Sequence, residues 1–163
     1  MSVQTASKFQ GMLAGIFTAA RKGADLQSLD RVEAIAGRGL VGDRYFLKEG
    51  TFSAKDGPDR EVTLIEAEAL DGLAREYEIT LRPAQARRNL LTRGVPLNHL
   101  VDRAFSVGAV VLRGIRLCEP CGHLESLTCN GVKAGLVHRG GLRARVLEGG
   151  VLQVGAAISM RAE

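Results

Sequence analysis

The sequence predicts a mainly β protein, a closed or partly closed β-barrel carrying short helical decorations, and three observations lead there. Short Leu-rich or β-branched segments bounded by Gly, Asp or Pro recur along the chain. Only one long stretch carries a helical period. Twenty glycines against four prolines supply the bends and bulges of a curved sheet, which removes its own exposed edges when it closes. A chain of 163 residues with 45% hydrophobic and 25% charged residues has an ordinary globular balance, and its length suits one domain over residues 1–163.

The expected strands are Gln10–Thr18, Leu29–Ala36, Glu61–Ile65, Arg88–Thr92 and Phe105–Leu117. In the last of these the alternation changes phase at Gly114: Val110 and Leu112 share one face, then Ile115 and Leu117 take over, which predicts a bulge or bend. Between Glu66 and Tyr77 the residues Ile65, Ala69, Leu73 and Tyr77 fall four apart, the spacing of a surface helix. Glu66 and Glu68 at its start complement the helix dipole and, two positions apart, cannot face each other as an acid/base pair. Leu97–Val101 and the stretch from Gly122 to His138 read as shorter helical turns, the latter interrupted at Asn130-Gly131. Finally Leu142, Ala144 and Val146 alternate with Arg143 and Arg145. Gly149-Gly150 is taken as a two-residue turn into Val151–Val154, so the chain is expected to end as a β-hairpin.

Composition narrows the partners. A net charge of +4 is too mild and dispersed to mark a polyanion-binding surface, though it suits an anionic small molecule. With no Trp and 4% aromatics there are few platforms for stacking bases, so no nucleic-acid partner is expected. No apolar run reaches the ~18 residues of a membrane span, and the N-terminus has no signal-peptide pattern; a cytoplasmic protein without a membrane partner is expected. Neither a G-x-S-x-G elbow nor a P-loop occurs. Gly37–Gly42 spells G-x-G-x-x-G after a strand, but residues 43–59 contain Gly50, Gly57 and Pro58 and lack the apolar period of the helix that a bound pyrophosphate requires. The segment is better read as a glycine turn that presents Asp43 and Arg44 to a site.

The strongest chemical signal is Cys118-Glu119-Pro120-Cys121-Gly122-His123, where an apolar strand ends and a helical segment begins. Free backbone N–H groups at a helix start stabilise thiolate, and Pro120 stiffens the turn, so Cys121 is the favoured reactive sulfur. Three readings compete with small buried hydrophobes. Structural zinc would use Cys118, Cys121 and Cys129 with His123 or His138, but the second half of the set lacks the tight pairing of zinc motifs. A thioredoxin-like dithiol fits the C-x-x-C spelling but not its late position in the chain. The third is a thiol that carries sulfur, with Cys118 resolving it, or ligates a soft transition metal. Two basic clusters, Arg82, Arg87, Arg88 and Arg93 around Asn89, and Arg139, Arg143 and Arg145 after His138, offer guanidinium groups to an anion. An amide at Asn89 within a strand must find hydrogen-bond partners.

Taken together, Gly39-Leu40-Val41-Gly42-Asp43-Arg44, Arg87-Arg88-Asn89-Leu90, Gly108 and Cys118-Glu119-Pro120-Cys121 resemble the MOSC domain, named for the C-terminal part of molybdenum cofactor sulfurases. The resemblance runs in matching order from about Gly11 to Ile158 and is that of a small stand-alone member. It implies a barrel-like β fold, a binding site for the molybdenum–pterin cofactor, and a cysteine that ligates metal or carries sulfur. Cys121 matches that cysteine, Arg88 and Asn89 the Arg-Asn motif, and Asp43 the Gly-Asp motif; Tyr45 departs from the His that often follows it. Members with demonstrated activity reduce N-hydroxylated compounds, and a sulfur-carrier role has been proposed for others. The expectation that follows is a molybdenum cofactor with Cys121 on the metal, Asp43, Arg44, Arg88 and Asn89 at the cofactor, and the region of His138 and Arg139 at its anionic tail. The alternative is persulfide carriage on Cys121, with a pyridoxal-phosphate cysteine desulfurase, or a redox protein, as partner.

Overall fold

A computed structural model describes residues 8–47 and 60–161. Eleven strands and three short α-helices are formed by these residues. The strands are β1 (Gln10–Thr18), β2 (Gln27–Leu29), β3 (Arg31–Ile35), β4 (Gly39–Leu40), β5 (Val62–Glu66), β6 (Leu90–Arg93), β7 (Ala104–Val107), β8 (Val110–Leu117), β9 (Leu142–Glu148), β10 (Gly150–Gln153) and β11 (Ala157–Met160). The helices are α1 (Ala67–Tyr77), α2 (Gly122–Leu127) and α3 (Val132–Gly135), and 3₁₀ turns lie at Pro83–Ala86 and Leu97–Leu100.

One sheet runs β11-β7-β8-β9-β5-β6-β1-β2, and β11 also pairs with β1. Seven of its strands therefore close a barrel, with β2 attached to the outside of β1. Closure leaves the barrel without a free edge, the solution expected of a glycine-rich, strand-rich chain. A second, three-stranded sheet has the order β10-β3-β4.

The period-2 pattern of the strands divides their side chains between two cores. Leu64, Leu90 and Ile16 point into the barrel with Leu13, Phe105, Leu112, Leu142 and Ala144, all fully buried. Ile65, Leu91 and Phe17, each next in sequence to one of these, point outward and are covered by Ala69 and Leu73 of α1, Leu124 of α2 and Val132 of α3. The helical period of Ile65, Ala69 and Leu73 thus marks the face by which α1 lies on the barrel wall.

Three expectations are corrected. Leu29–Ala36 is not one strand: Asp30 separates β2, in the barrel sheet, from β3, in the small sheet. Phe105–Leu117 is two strands, β7 and β8, folded into a hairpin at Gly108, which has φ +59°. The phase change at Gly114 does mark an irregularity, a register shift between Gly114 and Arg116 against β9. The C-terminal hairpin is absent. β9 pairs with β8 and β5, β10 pairs with β3, and β11 follows to close the barrel. Gly149-Gly150 is instead the crossing from barrel to small sheet, and a Cβ at Gly149 would stand 2.5 Å from the Ala34 carbonyl oxygen. The glycine is there for close backbone approach rather than for a tight turn. Of the segment after Gly42, residues 43–47 form turns and open no helix; the rest, 48–59, lies outside the described residues.

Candidate functional site

The pairing of β5 with its two neighbours builds a polar wall on the outside of the barrel. Antiparallel register sets Thr63 opposite Arg143 of β9, and the parallel pairing with β6 brings Asn89, just before that strand, alongside Thr63. Asn89 is fully buried. Its Oδ1 accepts the Thr63 backbone N–H at 3.0 Å and the Thr63 hydroxyl at 3.2 Å, its Nδ2 donates to the Phe17 carbonyl at 3.1 Å, and its own N–H donates to Thr63 Oγ1 at 3.0 Å. The buried amide therefore finds the partners it requires, and it stitches β1, β5 and β6 together behind the site.

Arg88 does similar work on the other side. It is 8% exposed, and its guanidinium donates to three carbonyls: Gly140 at 2.9 Å, Ala86 at 3.3 Å and Cys118 at 3.2 Å. Cys118 in turn donates its N–H to the Gly141 carbonyl at 2.7 Å. Gly140 lies so close that a Cβ there would sit 2.5 Å from the Cys118 oxygen and 2.8 Å from Pro120 Cδ. Arg88 and the Gly140-Gly141 backbone thus hold the Cys-Glu-Pro-Cys loop against the start of β9.

Cys118 is buried, Cys121 is half-buried and Cys129 is exposed, and all three are free thiols. Cys121 is the N-cap residue of α2, with extended backbone, and packs at the margin of the outer core. Its side chain and that of Cys118 line a cavity of about 50 Å³, or about 490 Å³ with the space open to solvent. The cavity is also lined by Thr63 and Arg143 of the paired strands β5 and β9, by Arg44, Tyr45, Arg87 and Arg88, by Glu119, and by His123 and Leu124 of α2. Four guanidinium groups against one carboxylate make this an electropositive pocket. Burial lowers the Arg87 pKa from its ordinary value, and the charge of Arg44 lowers it further, as crowded cations require. His123 Nε2 is buried and has no hydrogen-bond partner. Such an atom costs about 1–3 kcal/mol, which a bound group would recover.

Asp43 is fully buried and lies behind this wall. It accepts the Ala19 N–H at 3.1 Å, Arg44 Nη1 at 3.1 Å and the Tyr45 N–H at 3.3 Å, so that it orients the arginine that does reach the cavity. Asn89 likewise supports the wall without lining it. His138 and Arg139 lie outside the cavity. His138 is exposed, with its N–H donating to Glu119 at 2.7 Å and Nδ1 paired with the same carboxylate at 2.8 Å; Arg139 bonds the Gly135 carbonyl at 2.8 Å and Glu76 at 2.9 Å. The two basic clusters are divided in the same way: Arg87, Arg88 and Arg143 line the cavity, whereas Arg93 pairs with Asp71 and Arg82 borders a neighbouring cleft. Among the described residues no three His, Cys, Asp or Glu side chains stand where they could hold a metal ion, so the zinc set is not assembled. The sequence singles out His123 only as a zinc candidate and Thr63 not at all. Position two after Cys121, and outward alternation in β5, are the signals that place them here.

A family model for the MOSC domain matches residues 51–159. The chain belongs to the MOSC domain family. Solved structures share this MOSC fold at low identity: the YuaD protein from Bacillus subtilis superposes with a TM-score of 0.77 at 16% identity over 95% of this chain and 99% of its own. YiiM from Geobacillus stearothermophilus gives 0.72 at 13% over 93% and 75%, and YiiM from Escherichia coli 0.66 at 18% over 97% and 71%. No curated protein matches the chain. The Arg-Asn pair and the Pro-Cys turn that carry the MOSC resemblance meet at one place, with Arg88 bonded to the loop that bears Cys121. No helix among the described residues is long and apolar enough to cross a membrane.

Proposed function

We propose that this MOSC protein binds the molybdenum–pterin cofactor at the arginine-lined pocket, with Cys121 as the thiolate ligand of the metal. The observation that carries this reading is that a half-buried thiol and four guanidinium groups line the same cavity. The donor set suits the group: thiolate is a preferred ligand of soft metals, and guanidinium forks match anionic oxygens. Because no three His, Cys, Asp or Glu side chains among the described residues stand where they could hold a metal ion together, the cofactor itself would bring the remaining ligands. When bound it would supply two-electron redox chemistry, and reduction of N-hydroxylated small molecules, with a redox protein as electron donor, is the reaction class the family suggests.

The chain's own residues divide the work. Cys121 supplies the sulfur. Arg44, Arg87 and Arg143 offset negative charge, and Arg88 fixes the loop so that the thiol keeps its place. Protein purified from a cofactor-competent host is expected to contain stoichiometric molybdenum, and Cys121→Ser to lose it while staying folded; no molybdenum in the unaltered protein overturns the reading.

One observation favours a second reading. The space beside the thiol that water-sized groups can occupy is about 50 Å³, room for a few atoms. That suits Cys121 as a sulfur carrier loaded by a cysteine desulfurase, and a gain of one sulfur mass on Cys121, in metal-free protein incubated with desulfurase and cysteine, tests it.

A further inference from the structure

We propose that the cleft next to the Cys121 pocket holds the head of the substrate: it takes the ammonium and carboxylate groups of an amino-acid-type molecule whose N-hydroxylated end reaches Cys121. The inference rests on the molybdenum reading and narrows its substrates from N-hydroxylated compounds in general to zwitterionic ones.

Size, position and unspent charge each point there. The cleft is open to solvent and has a volume of about 340 Å³, within the range of about 300–1,000 Å³ in which small molecules bind. Two links tie it to the Cys121 pocket. Arg87 lines both cavities. Its Nη1 donates to the Ala24 carbonyl at 2.9 Å, its own carbonyl accepts Arg44 Nη2 at 3.3 Å, and its φ of +59° is one that a residue other than glycine adopts only at a cost. The other link is α2: Cys121 caps its start and lines the pocket, while Leu127 at its end lines the cleft, and six residues of helix set the two about 9 Å apart.

The groups offered by the cleft carry both signs of charge. Asp25, Gln27 and Arg82 line it with side chains that make no hydrogen bond or ion pair among the described residues. Arg44 and Arg88 in the pocket differ, because their N–H groups are taken up by protein oxygens. Gln85 accepts the Arg82 N–H through Oε1 at 2.9 Å and keeps its amide N–H groups for a ligand. Arg82 presents a guanidinium fork to a carboxylate, and Asp25 an acceptor to an ammonium group. Asp25 repels a dianion, whereas Arg82 and Arg87 repel a polyamine. A molecule with both charges side by side therefore satisfies the cleft where a simple ion of either sign does not. An α-amino acid has that pair on one carbon, with its side chain free to extend past Arg87.

The test uses the full, metal-free chain, with L-glutamic acid γ-monohydroxamate as the zwitterionic probe and butyrohydroxamic acid as the same arm without the head. The amide NMR signals of Gln27 and Gln85 are expected to shift saturably with the first probe, and the second to bind about twentyfold more weakly. Asp25→Asn and Arg82→Gln, both changes at exposed positions, are each expected to weaken binding of the zwitterion about fivefold and to leave that of butyrohydroxamic acid unchanged, with thermal unfolding as a control for fold. Reach is read separately. Glutamate hydroxamate is expected to slow alkylation of Cys121, followed by peptide mass spectrometry, whereas alanine, which has the head alone, occupies the cleft without slowing it. Equal affinity for the two hydroxamates, or an affinity for the zwitterion that neither variant changes, overturns the proposal and leaves the molybdenum reading standing. Binding without protection of Cys121 overturns the cleft as a substrate site. Head-selective binding and protection in a chain that takes up no molybdenum in a cofactor-competent host upholds the cleft and overturns the molybdenum reading.

Discussion

The two faces of the barrel wall are made from the same strands and have opposite chemistry. Inward, Val62, Leu64, Leu90 and Leu142 belong to the barrel's hydrophobic core. Outward, the next residues along those strands include Thr63 and Arg143, and Asn89, Arg88, Asp43 and Arg44 are buried on the same side. A packed interior of aliphatic side chains leaves no room for a ligand and offers it no polar partner. The outer layer contains the buried charges, the half-buried thiol and the cavity. In this molecule the barrel is the support and the layer between β5, β9 and α2 is the place for chemistry.

That division makes definite demands, of which the largest falls on the rivet between the two layers. Arg88→Met strands three buried carbonyls and is expected to cost about 4 kcal/mol in urea unfolding, and to release the Cys121 loop as well. Leu64→Ala, inside the barrel, is expected to cost about 3 kcal/mol. Alkylation of Cys121 in the folded fraction is expected to stay unchanged there; if it changes, the two layers are not separable. Gly140→Ala works the other way. Its Cβ would meet Cys118 O and Pro120, so a loss of about 1–3 kcal/mol is expected together with an altered alkylation rate at Cys121. Cys121→Ser is expected to change stability by less than about 0.5 kcal/mol while abolishing metal or sulfur loading.

The smallest effect concerns Glu61, buried beside Val146, whose N–H it accepts at 2.8 Å. Burial raises its pKa above 4.5, and the Val146 hydrogen bond and Arg145 only partly oppose this. The folded state therefore holds the proton more tightly than the unfolded one, and the stability linked to it is present at low pH and declines as pH rises past 4.5 through the folded value. Glu61→Gln keeps an acceptor for Val146, and its unfolding free energy is expected to lose that slope and to be higher than that of the unaltered protein at pH 7.

Local patterns were legible where one residue's environment is set by its neighbours in sequence. The helix on Ile65, Ala69 and Leu73, the bulge at Gly114 and the Pro-Cys turn at a strand end all follow from period and backbone chemistry. Pairing was legible only in part. Gly149-Gly150 has the spelling of a hairpin turn, and nothing local reveals that the Ala34 carbonyl passes within 2.5 Å of where a side chain would stand. The candidate site divides along the same line. Arg88 and Cys121 announce themselves by motif, whereas Thr63 and Arg143 reach the cavity through the register of β5 against β9, and His138 and Arg139, though near in sequence to the cavity wall, turn away to Glu119 and Glu76.

The seam that shuts the ring, β1 against β11, joins residues 10–12 to residues 157–159. During synthesis the part of the first strand that pairs with β11 must therefore wait, its hydrogen-bonding groups unoccupied, until residues 157–159 have left the ribosome. Contacts of such long sequence separation make for slow folding. A nascent chain stalled before Ala157 would present β1 and β7 as two open edges, the form of this protein most exposed to pairing with a neighbour.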